Sequence, residues 1–457
     1  MFQWWNKTKE KIFITKVPSY GNTIFYSLGF LALTCLTLLI ASGLTMIVFG
    51  PSWWLTNPWG VVVRSIHLWS AQAFVLIILL HFLVVFSTSA FRTPRKLTWI
   101  VGVIALLVVL TEAEFGYGLR GDFSSQYRAL QGADFYNGAF IGKFISTLNY
   151  AQVYGLHVIY IPISLVTVIC IHYALVKIRG IAKPYRKNVS YTMVSADHRR
   201  LFLRGIILGS VILFLALLFP SPFIAPVTIT QVAKESPALM AQTLLSEFTH
   251  TSDTATYLDS IDPYTYDTRA IYVSIPYASY ASTHGIDDLA LFEEANTTLQ
   301  QKYITQASNY FQNNGSLVVQ QNSNPLIPVI SALVLMGQQG TYTPILDSEN
   351  VAIQPTYSLR FLADTGVLDA EATQLHITTD QWGMMREEKG FIPPGAWWLA
   401  PLGFLDHTIL ANDQNGDRDG AEILGFCALL LILFPYIPYI NRIPEWLPFA
   451  RIIWKGK

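Results

Sequence analysis

Charge and cysteine are both scarce in this chain. Of its 457 residues only 13% are Asp, Glu, Lys or Arg, against 52% hydrophobic, and the mean hydropathy is +0.38. So little charge excludes an ordinary water-soluble globule, which needs a hydrated surface, and points to a chain whose main solvent is lipid. The three cysteines, Cys35, Cys170 and Cys427, each lie inside an apolar run, and no CxxCH motif occurs. That excludes a disulfide framework, so any exported domain must stand on its own core. A cleavable leader is not visible either. The first apolar run is too long for one and comes after the opening MFQWWNKTKEKIF, which reads as an interfacial amphipathic helix within a segment 1–24.

The balanced total of 30 basic and 30 acidic residues conceals a strong segregation. Residues 226–420 hold 22 of the acids but 7 of the bases, a net of −15, which leaves +15 for the rest. Runs apolar enough to span a bilayer, about 20 residues each, fall at 25–49, 66–90, 97–117, 157–178, 203–225 and 421–440. Six spans put both termini on one side. Lys7, Lys9, Lys11 and Lys16, then Arg92, Arg95 and Lys96, then the stretch from Lys177 to Arg204, and finally Arg442, Arg451, Lys455 and Lys457 all fall on that side. The positive-inside bias makes it cytoplasmic. The loop 118–156 and the acidic segment 226–420 are then outside. Residues 226–390 mix Tyr-rich turns (TYLDSIDPYTYDT) with apolar runs (PLIPVISALVLMG) and read as an inserted domain of mixed α/β type. The expected order is the segment 1–24, a four-helix bundle 25–185, a linker and fifth span 186–225, the inserted domain 226–390, and a loop, sixth span and basic tail 391–457. No nucleic-acid partner is expected.

Four of the nine histidines lie inside these runs: His67 and His81 in the second, His157 and His172 in the fourth. Such residues are costly at that depth and are usually functional. Fourteen residues is almost four helical turns, so His67 and His81 share a face about 21 Å apart along the axis; the fifteen between His157 and His172 give nearly the same geometry. Both helices run from outside to inside, so parallel packing pairs His67 with His157 near the outer face and His81 with His172 near the inner one. Each pair can clamp an iron porphyrin edge-on between helices, with no open axial position, which suits electron transfer. Histidines that merely bond to backbone carbonyls are the plain alternative for any one of them, but poorly explain a matched set at two depths. Gly29 and Gly43 in the first span and Gly102 and Gly116 in the third repeat the 14-residue period and offer Cβ-free surface for a flat macrocycle, although helix-packing glycines would look alike. Arg64, one turn before His67, is placed to neutralise a haem propionate. The fold class that results is an all-α transmembrane haem-binding four-helix bundle plus two further transmembrane helices, carrying the inserted domain.

Residues 20–185 resemble a known family through IFYSLGFLALTC, RSIHLWSAQ with the following His81, FRTPRKLTWIVG, GYGL followed by Asp122, and the 14- and 15-residue histidine intervals. The resemblance is to the cytochrome b subunit of Rieske/cytochrome b complexes, and specifically to the short cytochrome b6 branch. It implies two b haems, a quinone or quinol substrate, and a homodimer within a larger complex of an energy-transducing cytoplasmic or thylakoid membrane. The implied partners are a Rieske iron-sulfur protein, a c-type cytochrome or another high-potential acceptor. Quinol would be oxidised outside, one electron leaving to that partner and one crossing the two haems to quinone inside. By the same resemblance Cys35 is matched to the thioether cysteine of a third, c-type haem, and Lys177 to a basic position beside the inner quinone pocket.

Several positions depart from the family pattern. Arg120 and Gly121 replace a Pro-Trp pair, and Gln152 replaces an Arg five before the third histidine. The fifth span with PSPFIAP, and PPGAWWLAPLGFLDH before the sixth, are similar to parts of the family's quinol-site subunit, subunit IV. Pro394, Trp397 and Tyr117 would then line the outer quinone site. But Gly395 and Ala396 stand where the Pro-Glu-Trp-Tyr motif has its Glu. Since that Glu helps accept a quinol proton in the family, either outer oxidation is lost, leaving an electron conduit to a docked redox protein, or another carboxylate serves. Glu112 and Glu114 are the candidates; interfacial carboxylates facing water are the alternative. NDQNGDRDGAE has acids at alternating positions but no Glu at position twelve, and reads as a solvated turn rather than a Ca²⁺ loop.

Overall fold

The computed structural model describes residues 14–185, 190–256, 267–313, 315–319, 322–348, 357–378, 395–413, 415–446 and 449–454. The amphipathic opening therefore lies outside the described residues. The first described element is a strand, β1 (Lys16–Pro18), paired antiparallel with β2 (Met193–Ser195) in the register Val17 to Val194.

Six helices are long and apolar enough to cross a membrane: α1 (Leu28–Thr56), α2 (Pro58–Ser87), α3 (Lys96–Gly118), α5 (Tyr150–Arg179), α6 (His198–Leu218) and, near the end, a span over Arg418–Tyr436. These are the six spans expected, and between α3 and α5 lies α4 (Phe123–Gly138). The turn from α1 to α2 is a single residue. Asn57 caps α2 by accepting from Trp59 N at 2.9 Å and Gly60 N at 3.4 Å, with Pro58 in the first helical position. A Cβ on Gly60 would sit 2.3 Å from the Trp53 carbonyl oxygen, so only glycine permits that turn. α4 starts on a capping box in which Asp122 Oδ1 accepts from Ser125 N and Ser125 Oγ accepts from Asp122 N, both at 3.0 Å.

The inserted domain is helical, not mixed α/β. Its described residues form α7 (Ile229–Glu235), α8 (Pro237–Phe248), α9 (Ile275–His284), α10 (Asp288–Glu294), α11 (Thr297–Gln312), α12 (Leu326–Gln339), α13 (Tyr342–Ser348), α14 (Tyr357–Asp364) and α15 (Val367–Gln374), with no strand among them. The apolar run PLIPVISALVLMG forms α12. At 14 residues it is too short to span a bilayer, and Leu326, Val329, Ile330, Leu333 and Val334 are fully buried, so it is the central helix that its neighbours wrap. Most of the Tyr-rich segment, 257–266, lies outside the described residues. α4 belongs to the same core: Phe123, Tyr127, Leu130 and Ala133 are part of its buried cluster, and α4 lies against α14 and α15. Gln126 exchanges two hydrogen bonds with the Val227 backbone at 2.8 and 2.9 Å, and so fixes the domain on the end of the bundle where α3 finishes, the end expected to be the outer one.

After the inserted domain come α16 (Ala400–His407) and α17 (Gly416–Leu433), the latter tied to α3 by Trp99 Nε1 donating to the Leu431 carbonyl at 2.8 Å, and then short helices at Ile443–Trp446 and Phe449–Ile453. Asp419 and Glu422 lie within α17, so this stretch is the start of a helix rather than a solvated turn; Asp419 accepts from Arg418 at 3.0 Å.

Candidate functional site

The structure brings the four intramembrane histidines together in the two pairs expected from their spacing. A π turn at Leu156–Tyr160 contains His157 and leads into the regular helix that carries His172. In a regular α-helix a fifteenth residue would rotate the second histidine by about 100° relative to a 14-residue interval. The residue absorbed by the π turn offsets that rotation, so α5 presents its histidines in phase with those of α2. The ring centroids of His67 and His157 lie 6.3 Å apart at an interplanar angle of 74°. Two imidazoles that bind one metal ion through Nε2, each at about 2 Å, have ring centres roughly 6 Å apart. The spacing matches one iron between them. His81 and His172 are neighbours at the second level, each against a glycine of an adjacent helix.

Each ring rests on a glycine. A Cβ at Gly29 would lie 3.8 Å from His81 Cε1, at Gly43 3.3 Å from His67 Cε1, at Gly102 3.0 Å from His172 Cε1 and at Gly116 2.9 Å from His157 Cε1. These glycines, the ones expected beneath a macrocycle, also admit the imidazole edge close against the helix backbone. Nδ1 then finds partners on α1 and α3. His67 Nδ1 lies 3.0 Å from Ser42 Oγ, and His157 Nδ1 lies 3.3 Å from the Glu112 carbonyl and 3.1 Å from Glu112 Oε1.

Beside the outer pair is a polar cluster built from four parts of the chain. Gln72, five residues after His67, donates from Nε2 to Tyr117 Oη at 3.1 Å and to the Gly395 carbonyl at 3.0 Å, and accepts from Trp397 Nε1 at 2.8 Å. Trp398 Nε1 donates to Glu114 Oε1 at 2.9 Å, and Arg128 Nη1 lies 3.4 Å from Glu114 Oε2 with its guanidinium 4.3 Å above the Tyr117 ring. Tyr117, Trp397 and Glu114 therefore meet, as expected, while Pro394 lies outside the described residues. Glu112 points elsewhere, to His157. Gln72 was not singled out in the sequence; an amide inside an apolar span one turn beyond a ligand-type histidine was the available signal. The remodelled positions have structural tasks: Gln152 holds the loop before α5 through Ser146 N (2.8 Å) and the Phe144 carbonyl (2.7 Å), and Arg120 pairs with Asp122 at 2.6 Å.

One expectation needs correction. Cys35 is fully buried in the apolar cluster joining α1, α2 and α6, with Leu31, Val75 and Ile212. It stands about 240° around the helix from Gly29, which faces His81. Its thiol is a packing group with no room for a macrocycle edge, so the third haem does not fit there. Arg64 donates from Nη2 to the Ser221 carbonyl at 2.5 Å and lies 5.8 Å over the Phe223 ring, which ties α2 to the chain leaving α6. Lys177 is half-buried near the inner end of α5.

Comparison with known proteins agrees with this arrangement. Residues 72–232 match the family model described as cytochrome b (N-terminal)/b6/petB. Cytochrome b6 of Synechocystis sp. is 30% identical over 213 residues, covering 40% of this chain and 95% of the relative. Cytochrome b6 of Heliobacterium modesticaldum is 30% identical over 190 residues, covering 37% of this chain and 89% of the relative. A chain described as hyperthermophilic respiratory Complex III superposes with a TM-score of 0.41 at 16% identity, covering 79% of this chain and 100% of that one. With nearly the whole length of cytochrome b6 matched at 30% identity, this integral membrane protein belongs to the cytochrome b6/cytochrome b family.

Proposed function

We propose that the chain is the cytochrome b subunit of a quinol-oxidising membrane complex, with one b haem held by His67 and His157 and a second by His81 and His172. The observation that carries this is the 6.3 Å ring separation of His67 and His157, each ring seated on a glycine of a neighbouring helix. Haem bound in these two sites supplies one-electron carriers at two depths of the bilayer. The protein's own part is to hold both ligand pairs rigidly and to keep their surroundings apolar.

Outside, Glu114 is the carboxylate that takes over from the motif's missing Glu. Held by Trp398 and Arg128 beside Tyr117 and Trp397, it stands where a quinol hydroxyl can hand over a proton. Quinol then gives up two protons and two electrons, one electron to an external high-potential acceptor such as a Rieske iron-sulfur protein or c-type cytochrome, the other across the membrane. Quinone near Lys177 receives it on the inner face. This reading keeps both termini and the basic loops cytoplasmic and 226–420 outside, in a homodimer. A covalent haem on Cys35 forms no part of it.

The closed hydrogen bonding among Gln72, Tyr117 and Trp397 favours a second reading, an electron conduit whose outer haem exchanges electrons with a protein docked outside. Purified protein tests both. A pyridine haemochrome assay should give two b haems per chain and no c haem, and protein without protohaem ends the proposal. Quinol-driven reduction of an external acceptor by the intact complex distinguishes enzyme from conduit.

A further inference from the structure

We propose that Glu112 is a positioning residue that sets the reduction potential of the outer haem through His157. The inference rests on the reading that His67 and His157 hold a haem, and it assigns Glu112 a role separate from the proton chemistry at Glu114.

The geometry has a simple origin. Each histidine ring rests on a glycine, and for three of them the backbone of the residue four positions earlier on the same helix is the ring's neighbour: Leu39 for His67, Thr98 for His172 and Glu112 for His157. Of these three only Glu112 has a side chain that ionises. At that site the carboxylate joins the backbone: His157 Nδ1 lies 3.1 Å from Glu112 Oε1 and 3.3 Å from the Glu112 carbonyl oxygen. Glu112 Oε2 is buried and has no hydrogen-bond partner, so the carboxylate has no competing tie. The ligand across the site, His67, has a neutral hydroxyl at Nδ1, Ser42 Oγ at 3.0 Å. The two ligands of one site are therefore unlike. Glu114 has the opposite allegiance, toward Trp398 and Arg128. These two carboxylates, expected as alternatives for one task, face different partners.

A ring N–H that donates to a carboxylate makes a charge-assisted bond, and the imidazole gains partial imidazolate character. Its other nitrogen becomes a stronger donor to the metal, which favours the more positive, oxidised iron and lowers the potential. The outer haem is thus held lower than it would be with a neutral partner on His157, while the inner haem has no carboxylate of this kind.

The test is an optical redox titration of the intact complex carrying Glu112→Gln or Glu112→Asp. Glu112→Gln keeps the shape and removes the charge; the outer wave should move to higher potential, with about a tenfold change in the oxidised-to-reduced equilibrium, or about 59 mV for one electron. The inner wave should not move. Glu112→Asp keeps the charge but is one methylene short of Nδ1, and should also raise the outer potential. An unmoved outer wave in Glu112→Gln overturns the proposal. So does a Glu112→Asp protein with the unsubstituted potential, because the charge at a distance would then be the cause and not the bond to His157. If Glu112→Gln retains no outer haem, the Glu112→Asp titration alone decides by the same criterion. Failure of the underlying reading has a different signature: both waves would persist in His157→Ala.

Discussion

Trp398 Nε1 donates to Glu114 Oε1 at 2.9 Å, joining residues 284 positions apart in the chain. On the proposed reading, this contact lets the site keep an acid although the motif has lost its own. Gly395 and Ala396 occupy the place of a carboxylate in the loop before α16, and the helix opposite supplies Glu114 to the adjoining indole.

Replacing Glu114 by Gln should lower quinol-driven reduction of an external acceptor roughly 10²-fold, the scale of a lost general base, with haem content unchanged. Glu112→Gln should leave that rate far less affected. Equal losses in the two variants would mean that the carboxylates are not differentiated as the structure has them.

The glycines should rank by the space beneath each ring. At Gly116 and Gly102 an added methyl would come within 2.9 and 3.0 Å of the His157 and His172 rings, so Gly116→Ala should lose the outer haem and Gly102→Ala the inner. Gly29→Ala, at 3.8 Å from His81, should keep its haem. Haem stoichiometry with the reduced-minus-oxidised spectrum reads all three. Loss in Gly29→Ala with retention in Gly116→Ala would refute the ranking.

Gln72→Ala would remove three hydrogen bonds at once and strand Trp397 Nε1 in a half-buried setting. A single unsatisfied group of this kind costs about 1–3 kcal/mol. The expected result is a lower melting temperature together with a higher quinol KM, since the Gly395–Trp397 segment is no longer anchored on α2. Gln72→Glu, which retains the acceptor for Trp397, should recover part of the stability.

In the inserted domain, burial and the neighbouring Asp364 carboxyl hold Glu247 well above the usual carboxylate range, and Ser252 Oγ donates to its Oε2 at 2.7 Å. A folded-state pKa above the unfolded one means that the stabilising contribution is complete below the ordinary value of 4.5 and is lost progressively as pH rises above it. Hydrogen exchange of α8 and α14 in the intact protein should therefore quicken from pH 5 to pH 9, beyond the intrinsic rate change. Glu247→Gln should flatten that dependence; an unchanged slope would exclude Glu247 as its source.

Much of the membrane portion was legible because lipid leaves few options. Spans of sufficient length, basic residues between them, and four histidines at two intervals near four turns prescribe a bundle with two ligand pairs. The inserted domain was less legible. The run PLIPVISALVLMG has no period that separates a buried strand from a buried helix, and its neighbours decide in favour of a helix wrapped on all sides. Cys35 misled for a related reason: sequence position places a thiol at a depth in the bilayer but does not give its direction around the helix.

By itself the sequence determined that this chain lives in a bilayer, that two of its helices carry histidines at matched intervals, and that glycines accompany them. Those features come from composition and helical period, which are local. Only the tertiary structure decided which carboxylate serves which neighbour, that Gln72 and Trp397 meet, and that a π turn brings a 15-residue interval into phase with one of 14. Each of these depends on the rotation of one helix against another, and that rotation is fixed by packing between segments up to hundreds of residues apart.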